Sequence, residues 1–278
     1  MDRNKLLNDT LNYILEHYSE DLSVGDIAAH FHFSKYYFCR IFKESTGESI
    51  YAFIKRLKLD QSAIDIKLGA KKKRITDIGL DYGYSSSNYS TAFKEHHHIS
   101  PVDFRKSVDV SRVWNPFHPQ EMEAFREFQE YDNRIEIQEC EEVVVLYERF
   151  LGNYIELKEK WFAFLKRHEG MIADHTLLIE KYYNDPMITQ LNQCLCDLCI
   201  TVDFFSETDS VTTIKGGRFA VYHYQGKIQD IFRALQGLYT VWLPNSRYQM
   251  KERYGLNVYR SIEESTERVT MDFYIPIQ

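Results

Sequence analysis

The chain has 278 residues, with 34 Lys and Arg against 41 Asp and Glu, a formal net charge of −7 and 44% hydrophobic residues. That is long enough for two domains, and the absence of any apolar run near 18 residues excludes a membrane-spanning helix. The N-terminal MDRNKLLNDTLNYILEHY is charged and amphipathic, unlike a signal peptide, so a cytoplasmic protein with no membrane partner is expected. Charge is unevenly spread: residues 1–110 hold 16 basic against 15 acidic residues, whereas 111–278 hold 18 against 26. Neither part therefore carries the strongly basic bulk charge that would by itself mark a polyanion partner, and any such contact in the first part would have to rest on local basic placement.

Within the first 110 residues one pattern occurs twice at a constant offset of 51. Ile27, Phe31, Phe33, Ser34, Phe38, Phe42 and Lys43 return as Ile78, Tyr82, Tyr84, Ser85, Tyr89, Phe93 and Lys94. In each copy the i, i+3, i+4 apolar spacing marks one helix (Ile27, Ala28, Phe31; Ile78, Gly79, Tyr82) and, after a tight turn, a second. The second helices hold Phe38, Ile41 and Phe42, and Tyr89, Ala92 and Phe93. This is a helix-turn-helix present twice, a unit that places its second helix in the major groove of double-stranded DNA. Between the copies, Ser49 to about Leu68 keeps the helical period through Ile50, Phe53, Ile54, Leu57 and Ile64, with Lys55, Arg56, Lys58 and Lys67 expected outside. Such a helix is roughly 30 Å long, close to one turn of duplex, so the second helices are expected to enter successive major grooves. The basic run Lys71 to Arg74 is either a phosphate-contacting cluster or a solvated loop.

The segments DIAAHFHFSKYYFCRIFKESTGESIYAFIKRLKL (26–59) and GYSSSNYSTAFKEHHHISPVDFR (83–105) resemble the signature of AraC/XylS-type transcription regulators. The resemblance covers residues 1–108 and implies an all-α DNA-binding domain with RNA polymerase as a partner. It places recognition helices at Ser34 to Ser45 and Ser85 to about His97. Base-edge contacts are implied for Tyr36, Cys39 and Arg40 and for Ser86, Ser87, Asn88 and Thr91. Phosphate contacts are implied for Lys35, Lys43, Lys94 and the helix starts, Ser34 among them. Thr91 stands where many relatives carry Arg, and a hydroxyl cannot make Arg's bidentate contact to guanine, so the first helix is expected to read sequence more strongly. His98 stands where relatives have Gly and must take up a left-handed backbone.

Residues 109–132, with Pro116 and Pro119, read as a connector. Beyond it strands are expected at Val143–Tyr147, Leu177–Tyr183, Cys194–Val202, Phe219–Tyr224, Leu256–Tyr259 and Val269–Ile277, with helices at Ile155–Arg167 and Ile228 to about Trp242. The order strand, helix, strand, strand occurs twice. LYERFLG (146–152) aligns with AVYHYQG (220–226) at offset 74, and CDLCITV (196–202) with MDFYIPI (271–277) at offset 75. The fold class expected is α+β multidomain: the double helix-turn-helix domain, then two βαββ repeats about a pseudo-twofold cleft.

GGRFAVYHYQG, WLPNSRY, NVYRS and the terminal MDFYIPIQ, with YYNDPMITQLNQCLCDLCITV in the first half, resemble the GyrI-like effector-binding domain over residues 133–278. That resemblance implies an aromatic cleft for a small amphipathic or aromatic effector, lined by Tyr147, Trp161, Tyr222, Tyr224, Trp242, Asn257, Tyr259 and Tyr274. Each of these aromatics serves equally well as core packing. Relatives carry Glu where this chain has Asn257, so neutral ligands are expected to be favoured over permanent cations. Glu148 and Glu180 are either substitutes for it or, as the preferred reading, solvated strand residues.

No metal site, cofactor or catalytic residue is assigned. Cys194, Cys196 and Cys199 would point to both faces of one strand and read as structural. His96, His97 and His98 are either metal ligands or, as the preferred reading, residues that cap carbonyls or face phosphate, and Cys39 is a residue of the DNA-reading face with a redox switch as the lesser alternative. The function expected is a sequence-specific DNA-binding regulator that senses a small molecule. The alternatives are a small-molecule hydrolase, or a protein-interaction module, carried on the same DNA-binding domain.

Overall fold

A computed structural model describes residues 3–20, 22–69, 73–108, 124–185, 187–203, 210–252 and 254–278. They fall into two compact units, within residues 1–110 and 111–278.

The first unit is helical: α1 (Arg3–His17), α2 (Val24–His30), α3 (Lys35–Thr46), α4 (Ile50–Leu68), α5 (Ile75–Asp81), α6 (Ser86–His97) and α7 (Pro101–Val108). The repeated pattern forms the helix pairs α2–α3 and α5–α6, with Ser34 and Ser85 as N-caps of the second helices. Ser34 accepts from the Tyr37 N–H, and Ser49 does the same for Ala52 at the start of α4, satisfying donors that a helix start leaves open. The repeat extends to the backbone. His32 (φ 60°) corresponds to Gly83 (φ 79°), and Gly47 (φ 80°) to His98 (φ 60°), so at each left-handed turn one copy has Gly and the other His.

The expectation that the basic residues of α4 stay outside is corrected for two of them: Arg56 and Lys67 are buried, at 6% and 4% exposure. Helices α3, α5, α6 and α7 all pack on α4, leaving it little solvent face. The Arg56 guanidinium is held by Glu48 at 2.6 Å and lies over the Phe53 ring. In the second copy the buried Tyr89 reaches Ser62 of α4 with a 2.9 Å hydrogen bond. Gly79 admits it, since a Cβ there would overlap the Tyr89 ring.

The second unit is an eight-stranded antiparallel sheet with helices on one face. After α8 (Phe128–Asp132) come β1 (Ile135–Cys140), β2 (Val143–Gly152), α9 (Leu157–Arg167), β3 (Leu178–Tyr182) and β4 (Cys194–Thr201). Then follow β5 (Val211–Ile214), β6 (Gly217–Lys227), α10 (Ile231–Gly237), α11 (Leu243–Asn245), β7 (Gly255–Glu263) and β8 (Arg268–Pro276), with a π-helical turn at Leu238–Trp242. Strands β1 and β5 were absent from the sequence reading, and each adds an edge strand to one half. The tail of the expected connector forms α8, whose buried Tyr131 packs on Tyr222; its residues 109–123 lie outside the described residues.

The strand order β1-β6-β8-β7-β3-β4-β2-β5 is symmetric about the β7–β3 boundary. Registers locate the axis. Asp197 pairs with Lys181 and Arg149, while Asp272 pairs with Val258 and His223. The equivalence of the two aspartates therefore carries β3 onto β7 at an offset of 77, exchanging Glu180 with Asn257 and Tyr182 with Tyr259. Glu180 and Asn257 are also direct cross-strand partners. The axis thus passes beside them.

Candidate functional site

In the first unit the side chains of Ser34, Lys35, Tyr36, Arg40 and Lys43 are exposed at and along α3, as are those of Ser86, Ser87, Asn88, Thr91 and Lys94 on α6. The inward faces of these helices are Phe38, Ile41 and Phe42, and Tyr89, Ala92 and Phe93. Helical periodicity thereby puts the expected readers on the solvent side. Tyr36 is 81% exposed, a large aromatic with nothing to cover it in the unit itself. Cys39 is half-buried. Arg40 lies over the Tyr37 ring and 3.9 Å from Glu44, whereas the Thr91 hydroxyl bonds back to the Ser87 carbonyl at 3.3 Å.

Two basic residues ahead of α5 are tied to carboxylates. Lys73 pairs with Asp81, and Arg74 makes a two-pronged pair with Asp77. Lys71 and Lys72, the rest of that cluster, lie outside the described residues. Two of the three histidines point inward: His96 Nε2 is 2.8 Å from Asp60 Oδ1 and His97 Nε2 is 3.4 Å from the Leu59 carbonyl. His96 thus faces a carboxylate of α4, correcting the expectation of a carbonyl cap or phosphate contact, while His97 does approach a carbonyl. His98 is exposed.

In the second unit the structure gathers three of the expected ligand residues around one carboxylate. Glu180 is 1% exposed. Its oxygens accept from Asn257 Nδ2 at 3.1 Å, Tyr259 Oη at 3.2 Å and Trp161 Nε1 at 3.5 Å. The reading of Glu180 as a solvated strand residue is corrected: alternation along β3 puts Leu178, Glu180 and Tyr182 on the face that α9 covers. Burial pushes the Glu180 carboxyl above the usual carboxylate range, and the three donors hold it partly down. Tyr259 is pushed well up, by burial first and then by the Glu180 charge. Glu148, in contrast, is part-exposed and pairs with Arg167 at the end of α9 and with His168, its C-cap.

Aromatic pairs across the axis complete the cluster. Trp161 meets Tyr259 edge-on at 5.8 Å, Tyr154 meets Phe232 at 5.4 Å, and the Tyr182 and Tyr239 hydroxyls are 2.9 Å apart. Gly255 is required here, because a Cβ would collide with both of those hydroxyls. Sequence reasoning names Glu180 only as the lesser alternative and does not find Tyr154, Tyr182, Phe232 and Tyr239. The Glu-Lys-Tyr of β3 against the Asn-Val-Tyr of β7 is the signal that finds two of them.

The other expected ligand residues are not brought to this cluster. Tyr147 and Tyr274 lie on the opposite sheet face, beside Arg149 and Arg260 respectively. Tyr222 and Tyr224 sit on β6, where Tyr222 stacks on Phe273 and the Tyr224 hydroxyl donates to the Lys227 carbonyl. Trp242 is fully buried and donates Nε1–H to Asp132 at 2.9 Å. Cys194 and Cys196 lie in the core beneath α9, with Cys199 on the far face.

Fold and site together define a helix-turn-helix protein with an appended two-fold α+β domain. Residues 133–278 match the GyrI-like small molecule binding domain, and residues 27–107 match a helix-turn-helix domain family. The chain belongs to the GyrI-like family, joined to an AraC-type helix-turn-helix domain. Over 112 residues, 40% of this chain, it is 33% identical to transcriptional regulator Rob of Salmonella typhimurium. Over 106 residues, 38% of this chain, it is 27% identical to regulatory protein SoxS of Escherichia coli K12, covering 97% of that protein. The match spans only 38% of the length of Rob. Among solved structures, the EcmrR C-terminal domain is similar over 52% of this chain and 96% of its own, at 14% identity and a TM-score of 0.43. Among the described residues no helix is long and apolar enough to cross a membrane.

Proposed function

We propose that the protein is a cytoplasmic transcription regulator that reads duplex DNA with α3 and α6, contacts RNA polymerase, and responds to a small molecule bound at the Glu180 cluster. The observation that carries the ligand half is the buried carboxylate on the pseudo-twofold axis, ringed by Trp161, Tyr259, Tyr154 and Tyr182. A buried charge is costly unless compensated, and aromatic faces attract cations. The effector class is an aromatic or amphipathic molecule with a protonated amine. The Asn257 Oδ1 atom is buried without a hydrogen-bond partner, so an ammonium with N–H donors suits the site better than a quaternary one. Glu180 therefore takes over the part that Asn257 vacates, and the expected preference for neutral ligands reverses.

Calorimetry on the full chain with an arylalkylamine, its matched alcohol and its trimethylammonium analogue tests this reading. The amine binds tightest, and Glu180→Gln removes its advantage over the alcohol. Equal affinity for amine and alcohol overturns it. A second reading, hydrolysis of a small molecule at the same cluster, draws on the carboxyl of Glu180 lying 3.2 Å from the Tyr259 hydroxyl. Turnover of an electrophilic substrate that is lost in Glu180→Gln distinguishes it from sensing.

A further inference from the structure

The second helix-turn-helix carries a group of side chains that reading DNA does not use. Asp60 of α4 is 1% exposed, and His96 and His97 at the end of α6 converge on it. His96 Nε2 is 2.8 Å from Asp60 Oδ1 and His97 Nε2 is 3.9 Å from the same oxygen. The three donor atoms all lie within 4.8 Å of one another. The repeat does not impose this. At the corresponding places of the first copy stand Ser45 and Thr46, and the Thr46 hydroxyl bonds its own helix at the Phe42 carbonyl, 2.8 Å away.

We propose that Asp60, His96 and His97 bind one divalent transition-metal ion of the zinc class. Two imidazole nitrogens and one carboxylate oxygen are the ligand types that suit zinc, nickel or cobalt, whereas calcium and magnesium want oxygen alone. A tetrahedral zinc with bonds near 2.0–2.2 Å sets its donors about 3.3 Å apart, so the spacings here need only small side-chain rotations. Water takes the fourth position. His97 exchanges its long contact to the Leu59 carbonyl for the ion.

Nearby charge admits a cation. Arg56 Nη1 is 4.0 Å from Asp60, and its other amino group is paired with Glu48 at 2.6 Å. Glu48, Arg56 and Asp60 together carry a net charge of −1. Because Asp60 lies in the long helix between the two reading units and the histidines lie at the end of α6, the ion clamps the second reading helix to its support.

The test is a cobalt titration of the full chain after chelator treatment, followed by displacement with zinc. One ion per chain is expected, with visible ligand-field bands and no intense near-ultraviolet thiolate band, which would mark the cysteines instead. His96→Gln should weaken binding by more than about tenfold, while His98→Ala, one residue on and exposed, leaves it unchanged. His96 is at the rim of the cluster and Gln can keep a hydrogen bond to Asp60, so this variant folds even if Asp60→Asn does not. Zinc should also raise the melting temperature of the unaltered chain and not that of His96→Gln. Absence of binding at micromolar metal, a thiolate band, or equal affinity in His96→Gln overturns the proposal.

Discussion

Asn257 Nδ2 lies 3.1 Å from Glu180 Oε1 across the central strand pair, and these are the two residues that the pseudo-twofold axis exchanges. One half supplies the charge and the other an amide that steadies it. Had both been carboxylates, two buried charges would face each other and only one would ionise at neutral pH.

The burial of Glu180 has a cost that can be measured. Its folded-state carboxyl is raised above the ordinary value, so the native chain holds that proton more tightly than the unfolded chain. The associated stability is present below the unfolded carboxyl pKa, about 4.3, and is lost as pH rises through the folded value. Glu180→Gln should therefore raise the melting temperature at pH 7 and leave it unchanged at pH 3.5. A variant less stable at pH 7 would show that the three hydrogen bonds outweigh the desolvation.

Reading of DNA should be uneven between α3 and α6. Arg40 is exposed and has the guanidinium that guanine recognition uses, so Arg40→Ala should weaken specific binding by about 1–3 kcal/mol and relax one base position. Thr91 spends its hydroxyl on the Ser87 carbonyl, and Thr91→Ala should cost less. Lys43→Ala should lower affinity evenly across sequences and reduce the salt slope by about one. Binding-site selection with each variant checks the ranking, and a half-site under α6 that proved the more sharply specified would reverse it.

The helical half was legible because its repeat is gapless. The inward positions Ile27, Phe31, Phe38, Ile41 and Phe42 all return as apolar residues at offset 51, and with them the caps Ser34 and Ser85 and the left-handed turns. What escaped was the burial of Arg56 and Lys67, since helical period shows one face and cannot show that neighbours cover the others. In the sheet half the strands read out as alternating or continuous apolar runs, but β1, IEIQEC, and β5, VTTI, are edge strands with too little apolar character to stand out. The site was legible only in part. Trp161, Asn257 and Tyr259 were found, yet Glu180 was assigned to solvent because a Glu on a strand usually is, and its burial depends on a helix 20 residues away in sequence. Tyr147 and Tyr274 were grouped with the cleft because aromatic content carries no information on which sheet face a residue takes.

His98 offers a stability test of the left-handed turn. Its φ of 60° closes α6 by an N–H bond to the Lys94 carbonyl at 2.9 Å, as Gly47 does for α3. A side chain there costs roughly 1–2 kcal/mol that glycine avoids, while glycine adds freedom to the unfolded chain. His98→Gly should stabilise the chain by about 0.5–1 kcal/mol in denaturant unfolding. The reverse exchange, Gly47→Ala, should destabilise it, although a Cβ there meets no atom within 4 Å.

The pseudo-twofold axis also exchanges two ion pairs of unequal burial. Arg149 and Asp197, with 4% and 5% side-chain exposure, form a two-pronged pair at 2.7 and 2.9 Å, and Tyr183 donates to the same carboxylate at 2.7 Å. Its counterpart is His223 with Asp272 at 2.8 Å, where His223 is 53% exposed and Arg260 also binds the carboxylate. Removing one partner of a fully buried pair strands the other charge, so Arg149→Leu should cost about 3–5 kcal/mol. The double variant Arg149→Leu with Asp197→Leu should recover most of that loss, because the desolvation of both charges disappears with them. In the second half, Asp272 raises the His223 pKa by its hydrogen bond, an effect present below the ordinary imidazole value and lost as pH rises through the folded one. His223→Asn should therefore lower the melting temperature at pH 5.5 and scarcely at pH 9, while Arg149→Leu is equally damaging at both. If Arg149→Leu proved as mild as His223→Asn, the first-half pair would be water-screened and its buried geometry would be refuted.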